Sequence, residues 1–450
     1  MRKFCISGFI FLGLFALIIQ SLTAQIGTRF PSERKVIKDP VTGVDLVFLT
    51  STPAGDSKIY QTHNQWTADG EWLIFRSGRV KGEAMAVHEK TGVLVQVTEG
   101  GYTGMLNIAR NSMKLYFMRF PTGNERRSGS LQLVEVDLAR LFADSESGNL
   151  QPEHVYQRIC GTTPPEWGAS GDIALDGSEE WVWIKVGKGE AARHLPEGTS
   201  AAESFGPRKM GAGPGGIAGM NVVTGETQYV VSVPFQVGHI QSNPWVPGQI
   251  VFCWETGGKA PQRTWIVNSD GSGLRPLYPE AEYEWVTHEA VISPDEVAFA
   301  IMGHRKIPGI EAPLDPATGV QGANPGQEPE WGASGTREKP TGLGIVNIHS
   351  REMYIAGQIP FGSGFWHVTG SADKRFVAGD DFARNIYVVD RRNNEMMLLS
   401  TGHKTTAADH PHPTFSPDGT RIQIQSAMLS EDNRSMNICI IPVPEEWLRR

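Results

Sequence analysis

A sequence unit that recurs seven times constrains the fold of this 450-residue chain more than any other feature. Each copy has a run that can form a strand, a short polar turn rich in Asp, Gly and Pro, and a second, mostly apolar run. The copies begin at His63, Leu106, Gly171, Ser242, His288, His367 and His412. Most are followed by a second strand pair around a polar turn, as in "GMNVVTGETQYVVS" and "NIYVVDRRNNEMMLLS". Four strands per unit and seven units predict an all-β fold, a seven-bladed β-propeller.

The spacing of the copies predicts loop insertions in several blades. A bare four-stranded blade needs roughly 40–45 residues, and several intervals are longer. The clearest predicted insertions are 120–170, the Gly-rich 187–219 and the Gly/Pro-rich 304–340. The heptapeptide "PEWGASG", at Pro165 and again at Pro329, has the composition of a turn. The segment "DLVFLTS", from Asp45, is predicted to supply the outer strand of the last blade and to close the ring through a mixed sheet.

The first 24 residues read as a secretory signal. Two basic residues are followed by an apolar stretch from Phe4 to Ile19 and by a polar region that ends in "LTA". The apolar stretch is short for a membrane span, although an uncleaved anchor is the alternative. We expect cleavage near Ala24, export to the periplasm or beyond, and no membrane association after cleavage. Residues 25–450 are then expected to form a single catalytic propeller domain.

Charge and cysteine content limit the partners and crosslinks of the chain. The 41 basic and 49 acidic residues give a net charge of −8 without a long run of either sign, so nucleic acid is not an expected partner. The three cysteines after the signal permit one disulfide at most. Cys253 and Cys439 lie in strand-like runs, "IVFCWE" and "NICIIPV", and are predicted to be buried free thiols.

Six of the twelve histidines occur near the start of a blade. They are His63, His239, His288, His367, His410 and His412. The first strand of each propeller blade lines the central channel, so equivalent positions are predicted to meet at one mouth. In "DHPHPTFSPDG" the last two histidines are predicted to project from one face of a strand that leads into a tight turn. The alternative for this pair is two partly exposed histidines at the end of a loop.

A group of imidazoles points to metal chemistry. Neutral imidazole binds zinc, copper, iron and nickel, and three imidazoles leave room for water or a substrate oxygen. We select His288, His410 and His412 as the metal-binding triad. A cation there could polarise a carbonyl or carboxylate group, activate water, or only hold the ring together.

Six segments in order along the chain share one further feature. They are "DPVTGVDLVFLT", "VGHIQSNPW", "FCWETGGKAPQRTWIVNSDG", "THEAVISPDE", "GFWHVTGSADKRFVAGDD" and "DHPHPTFSPDG". All of them resemble the oligogalacturonate lyase family, whose members are seven-bladed propellers that cleave pectin fragments by β-elimination. The resemblance implies a manganese ion on His288, His410 and His412 and a proton-abstracting base at His239. It also implies that Arg263 meets a carboxylate of an acidic oligosaccharide substrate.

The chain departs from the family pattern at two positions. Ala407 stands where the family has a fourth metal ligand, a glutamine, so water or Asp409 is expected to complete the metal site. The second active-site arginine falls on "GPGGIAG", and Arg208 and Lys209 are the nearest basic residues. The well-known relatives also work in the cytoplasm, whereas this chain has an export signal.

Further histidines and three tryptophans are candidates for substrate contacts. His63, His367 and His403 are expected to line the subsites, with a structural role as the alternative for each. Three tryptophans could stack on sugar rings, although packing between blades is the commoner use. They are Trp66, Trp245 and Trp366.

The resemblance therefore implies a metal-dependent lyase that cleaves short oligogalacturonides by β-elimination to unsaturated uronate products. One alternative is a propeller lyase or hydrolase that acts on another uronic-acid oligosaccharide. The other is a non-catalytic periplasmic binding propeller. The histidine group argues against the latter, because a scaffold has no need of imidazoles at one mouth.

Overall fold

The computed structural model describes residues 24–121, 129–205, 208–256, 258, 260–280, 284–303, 342–357 and 364–450. Three features predicted from the sequence fall outside these residues. They are the signal segment before Ala24, the insertion 304–340, and the second "PEWGASG", which lies within that insertion.

The described residues form seven antiparallel sheets of four or five strands, which confirms the predicted seven-bladed β-propeller. From the channel outward, blade 1 contains β4 (Ser57–Lys58), β5 (Trp72–Arg76), β6 (Ala84–His88), β7 (Leu94–Gln96) and β1 (Arg29–Phe30). Blade 2 contains β8 (Thr103–Ile108), β9 (Lys114–Arg119), β10 (Gln132–Asp137) and β11 (Gln157–Thr162). Blade 3 contains β12 (Ile173–Leu175), β13 (Trp181–Val186), β14 (Ala212–Asn221) and β15 (Thr227–Phe235).

The remaining blades follow the same order. Blade 4 contains β16 (Val237–Ser242), β17 (Gln249–Trp254), β18 (Thr264–Asn268) and β19 (Arg275–Pro276). Blade 5 contains β20 (Glu284–Ser293), β21 (Glu296–Gly303), β22 (Gly342–Asn347) and β23 (Met353–Ala356). Blade 6 contains β24 (Phe365–Gly370), β25 (Phe376–Asp381), β26 (Ile386–Asp390) and β27 (Glu395–Ser400). Blade 7 contains β28 (Thr414–Phe415), β29 (Arg421–Ser426), β30 (Asn437–Pro442), β3 (Asp45–Phe48) and β2 (Lys35–Lys38).

Two of the predicted insertions are elaborated parts of blades. Range 120–170 contains β10 and β11 with a helix between them, and 187–219 contains a short helix and most of β14. The helices are α1 (Leu138–Ser147), α2 (Lys188–Arg193) and, at the carboxyl end of the chain, α3 (Glu445–Arg449). The side chain of Asp137 accepts a hydrogen bond from the backbone of Arg140 and so caps α1. The first "PEWGASG" begins with a 3₁₀ turn, Pro165–Trp167, which buries its tryptophan.

Strands from both ends of the chain close the ring in blade 7. Phe48 pairs with Cys439, and Val47 pairs with Ile440. The predicted outer strand is therefore confirmed, and β2 extends the sheet beyond it. The prediction of a mixed sheet was wrong, because every ladder in this sheet is antiparallel.

Packing between neighbouring blades forms the core. A middle strand such as β25 is buried on both faces, because its sheet lies between two others. Apolar clusters join adjacent blades around the ring. Cys160, Cys253 and Cys439 are buried and free, as predicted for the last two. Among the described residues, no helix is long and apolar enough to cross a membrane.

Candidate metal and catalytic site

The innermost strands of the blades surround a central channel. Neighbouring innermost strands contact each other from blade 2 to blade 7, and all seven blades line a cavity of about 250 Å³. The cavity lining includes Ser242 and Gly370, the last residues of β16 and β24. His239 and His367 lie earlier on these same strands, nearer their starts. His239 and His367 therefore lie toward the other mouth of the channel, whereas His63 lines the cavity, so the prediction that all six histidines meet at one mouth was wrong for His63.

Three of the predicted histidines lie on irregular backbone. His239, His288 and His412 have φ angles of +46°, +55° and +51°. Residues other than glycine avoid this left-handed region, and each such residue costs on the order of 1–3 kcal/mol. The strand register also shifts around His239 and His288, and such bulges change the direction in which side chains point. Strain of this kind is typical of functional sites.

His410 and His412 reach the site from irregular backbone and not from a strand. The inner strand β28 is only Thr414–Phe415, so the predicted strand alternation does not apply to this pair. The side chain of Gln425 holds the loop by donating to the carbonyl oxygen of His410 at 2.7 Å. The structure brings both histidines to the same group, although by a different local geometry than the sequence predicted.

His367 is the centre of a cluster of four imidazoles. Its ring centroid lies 3.7 Å from that of His412, 4.2 Å from that of His288 and 5.1 Å from that of His410. Burial lowers the pKa of His288 and of His412, and burial together with His412 lowers the pKa of His367 to about 3. These three rings are therefore neutral at physiological pH, which is the form that binds metal ions. The cluster contains the whole predicted triad and adds His367, which was expected to contact substrate.

Asp380 supports two of these imidazoles from the second strand of blade 6. One of its carboxylate oxygens, Oδ2, lies 3.2 Å from Nδ1 of His367 and 3.3 Å from Nδ1 of His410. The His367 contact is a hydrogen bond, whereas the His410 contact lacks hydrogen-bond geometry. Burial acts to raise the pKa of Asp380, but His367 and His410 together outweigh burial and hold the pKa well below its ordinary value. The two histidines and this carboxylate have ligand atoms close enough to hold one metal ion.

Partners at Nδ1 of His412 and of His288 would direct the Nε2 atom of each ring toward a cation. Nδ1 of His412 lies 2.8 Å from Oε1 of Gln61, and its Nε2 lies 3.0 Å from the carboxylate of Asp409. When Nδ1 of the neutral ring donates to Gln61, a lone pair on Nε2 faces a carboxylate oxygen. A cation between these two atoms would relieve that repulsion. Nδ1 of His288 bonds to the hydroxyl of Tyr60 at 2.7 Å, an interaction that would leave Nε2 free. These donors fit a divalent metal ion.

His239 lies next to the imidazole cluster and is flanked by two carboxylates. Its Nδ1 is 3.2 Å from Oε1 of Glu289, and its Nε2 is 3.5 Å from Oε2 of Glu255. Burial acts to lower the pKa of His239, but the two carboxylates outweigh it and raise the pKa above the ordinary value. The ring centroid lies 6.1 Å from that of His288 and 5.1 Å from that of Tyr60.

Arg263 lies behind His239 and is buried. Its Nε donates to Glu289 at 2.9 Å, and its Nη2 is 3.4 Å from Nδ1 of His239. Most of its charge is therefore balanced inside the protein, and its contact with a substrate carboxylate stays a prediction. A second buried guanidinium, that of Arg384, has Nε and Nη1 without hydrogen-bond partners in the described chain. Its charge interacts with Asp380 and Asp409, so it lies near the imidazole cluster.

His63 and His403 are separate from the cluster. Nε2 of His63 bonds to the backbone carbonyl of Ile173 at 2.9 Å, and the residue lines the cavity at the other end of the channel. His403 is 1% exposed, and its two ring nitrogens bond to the hydroxyls of Ser400 and Ser426, each at 2.8 Å. Burial lowers the pKa of each ring to about 4. These contacts favour the structural alternative for both residues.

Of the three candidate tryptophans, Trp366 lies at the site. Its ring centroid is 4.5 Å from that of His288. Trp66 is buried and donates a hydrogen bond to Glu89. Trp245 has the guanidinium carbon of Arg110 4.3 Å from its ring centroid and lines the cavity at the other end of the channel. A sugar ring bound at the imidazole cluster could therefore reach Trp366 alone among these three.

The sequence did not predict the acidic and phenolic partners of the histidines, or the nearby arginine. The partners are Tyr60, Glu255, Glu289 and Asp380, and the arginine is Arg384. A usable signal was present for two of them, because the runs "FCWE" and "FVAGDD" carry carboxylates in or directly after otherwise apolar middle strands. Charged residues are almost never buried without a partner.

The fold and these residues define a class, the seven-bladed propellers with potential metal-binding side chains at one mouth of the channel. Comparison with known proteins finds a likeness to one kind of enzyme. The chain is 21% identical over 428 residues to an oligogalacturonide lyase from Pectobacterium atrosepticum, with 89% of this chain and 94% of that protein covered. This likeness confirms the resemblance predicted from the sequence.

Solved structures share the fold. An oligogalacturonate lyase in complex with manganese and an oligogalacturonate lyase from Vibrio parahaemolyticus each match with a TM-score of 0.69 at 18% identity. Each match covers 94% of this chain and 100% of the other. No family model matches the chain.

Proposed function

We propose that this chain is a metal-assisted lyase that cleaves short oligogalacturonides by β-elimination. The observation that carries the proposal is the cluster of four imidazoles with Asp380 on one side and the carboxylate-flanked His239 on the other. Elimination requires a group that stabilises charge on the uronate carboxylate and a base that removes the proton from C5. The imidazole cluster with its metal ion would stabilise the charge on the carboxylate, and His239 would act as the base.

The imidazole cluster is the proposed metal site. His288, His367, His410 and His412 would hold a divalent cation, manganese in the proposal, together with Asp409. The bound cation would polarise the substrate carboxylate and so make the C5 proton more acidic. Asp380 orients His367 through Nδ1, and Tyr60 orients His288 in the same way.

His239 is the proposed base. Glu289 faces its Nδ1 and favours the tautomer with a proton there, which leaves a lone pair on Nε2. Nε2 takes the C5 proton, the C5–H electrons form the C4–C5 double bond, and the C4 oxygen leaves with its bonding pair. Arg384 has two nitrogen donors without partners in the described chain and is the first candidate to bind the substrate carboxylate. Arg263 is the second candidate.

Incubating the purified protein with oligogalacturonides and with other uronic oligosaccharides, with and without divalent metals, tests the proposal. We expect the ultraviolet absorbance of an unsaturated uronate to rise with oligogalacturonides and to depend on metal. Absorbance with another uronic substrate alone would identify a different lyase. Reducing ends without absorbance would identify a hydrolase, and binding without products would identify a non-catalytic module.

We also propose that the protein is exported and cleaved near Ala24. The basic pair, the apolar stretch and "LTA" support this proposal. Amino-terminal sequencing of the protein from cells should find a mature chain that begins close to Gln25. A chain that still begins at Met1 would refute it.

A further inference from the structure

The environment of His239 contains a group that β-elimination leaves unused. The thiol of Cys253 lies 3.6 Å from Oε2 of Glu255, and the same carboxylate oxygen lies 3.5 Å from Nε2 of His239. The three ligand atoms all lie within 4.8 Å of one another. An imidazole, a thiol and a carboxylate thus converge on one point beside the channel.

We propose that His239, Cys253 and Glu255 form a second cation site, of the zinc type, and that an ion bound there inhibits the lyase by occupying its base. Only the inhibition rests on the proposed function, because the site itself is argued from geometry. The ligands share no residue with the imidazole cluster around His367.

Two of the three distances between the ligand atoms match tetrahedral coordination. Zinc binds sulfur at about 2.3 Å and nitrogen or oxygen at about 2.0–2.2 Å, so neighbouring ligand atoms are roughly 3.3–3.6 Å apart. The carboxylate oxygen of Glu255 lies 3.5 Å from Nε2 of His239 and 3.6 Å from Sγ of Cys253, which agrees with that range. A thiol and an imidazole also favour zinc or cobalt over the hard cations that carboxylates prefer. The fourth position would be open to water, because the side chains of His239 and Glu255 are 23% and 21% exposed.

Glu289 supplies the outer support that metal-binding histidines usually have. Its fully buried Oε1 lies 3.2 Å from Nδ1 of His239 and has no hydrogen-bond partner of good geometry in the described chain. A carboxylate at Nδ1 directs the lone pair of Nε2 toward the metal. Arg263 balances the charge of Glu289. The carboxylate of Glu255 and a thiolate at Cys253 would then balance a divalent ion.

Gly238 allows Glu255 to approach the histidine. A Cβ atom at Gly238 would lie 2.5 Å from Oε2 of Glu255 and 2.7 Å from its Cβ. Any larger residue would displace the carboxylate that joins His239 to Cys253.

Ion binding must release a proton from Cys253. Burial raises the pKa of this thiol well above its ordinary value, so it is protonated in the metal-free protein. The divalent ion forms a bond to sulfur as the S–H bond breaks, and the proton goes to solvent. Binding is therefore expected to tighten as pH rises. It also occupies the Nε2 lone pair that would take the C5 proton.

Cobalt(II) tests the site by spectroscopy, because a cobalt–thiolate bond gives a charge-transfer band that imidazole and carboxylate ligands do not. We expect the intact protein to develop this band, to saturate it at one thiolate-bound ion per chain, and to lose it on addition of zinc. Cys253→Ser should abolish the band. Cys439→Ser is the matched control, because Cys439 is also a fully buried free thiol, in blade 7, and the band should persist. Absence of the band in the intact protein, or its survival in Cys253→Ser, would overturn the proposal.

Two further measurements keep the test decisive. If Cys253→Ser does not fold, Glu255→Gln should keep the band and weaken cobalt binding at least tenfold, and unchanged affinity would contradict the site. In manganese-supplemented assays, zinc should inhibit elimination, and the inhibition should weaken at least tenfold in Cys253→Ser. Absence of lyase activity would refute the proposed function. The cobalt band would still show whether the second cation site exists.

Discussion

Individual side chains at the mouth of the channel are arranged in pairs of imidazole and carboxylate. Asp380 faces His367, and Glu289 faces His239. The pKa values of the two histidines differ, because burial keeps the His367 ring neutral, whereas two carboxylates stabilise the protonated form of His239. One histidine is thereby suited to bind a metal ion and the other to exchange a proton.

We expect His239→Ala to lower turnover by roughly 10²–10⁴-fold, the usual worth of a positioned general base, and to leave manganese content unchanged. Because its pKa is raised, His239 is protonated at low pH and becomes a base only as pH rises through a value above 6.5. The elimination rate should therefore rise with pH, and Glu255→Gln should shift this rise to lower pH. Pre-steady-state rates measured as a function of pH test this, and metal analysis is the control. Loss of manganese in His239→Ala would make this residue a ligand of that ion instead.

We expect Asp380→Asn to weaken manganese binding by about 10–100-fold, the usual effect of losing a carboxylate behind a metal-binding histidine. His410→Ala or His412→Ala should abolish binding without unfolding the propeller, whereas Ala407→Gln should tighten it. Titration calorimetry measures these affinities. Asp390→Asn is the matched control, because Asp390 is a buried blade 6 carboxylate that pairs with Arg392. Equal affinities in the two Asp→Asn variants would place the metal elsewhere.

At the scale of the strand, the inner strands that carry the site are irregular. β16, β20 and β24 each contain a register shift next to their site histidine. In blade 6 the second strand, β25, supplies Asp380 opposite His367 and pairs regularly with β26 on its other side. A regular sheet thus fixes the position of a strained strand, which is how proteins maintain such backbone geometry.

We expect Gly238→Ala to destabilise the fold by about 1–3 kcal/mol, the cost of inserting an atom into a packed site. Its Cβ would lie 2.5 Å from Oε2 of Glu255. Gly189→Ala is the control, because no atom lies within 4 Å of its Cβ in the short helix α2. It should stabilise the protein by up to about 1 kcal/mol. Urea denaturation measures both, and equal effects would show that Gly238 is not needed for the close packing of Glu255.

Closure of the propeller depends on the pairing of strands from the two ends of the chain. Blade 7 takes β28, β29 and β30 from the carboxyl end and β3 from the amino end. The side chains of Leu46 and Phe48 from β3 are fully buried there. Each blade packs on its neighbours, so the ring is complete only when this sheet forms.

We expect Phe48→Ala to destabilise the protein by about 3–5 kcal/mol, the range for a buried aromatic residue. Val36→Ala, in the adjacent strand β2, should change stability by less than about 0.5 kcal/mol, because Val36 is 46% exposed. Denaturant unfolding followed by circular dichroism compares the two. A small effect of Phe48→Ala would show that the ring does not depend on this strand pairing.

The sequence by itself determined the repeat and the residues that the repeat carries. Turns of Asp, Gly and Pro between alternating apolar runs are local signals, so they specified seven blades and the closing strand. Equivalent positions meet at the channel axis, which brought together five of the predicted histidines. Only the tertiary structure decided what each histidine faces. Strand register and positive-φ bulges aim these side chains, and their partners Asp380, Glu255 and Glu289 come from other strands, so no local pattern could assign a metal ligand, a base or a structural role.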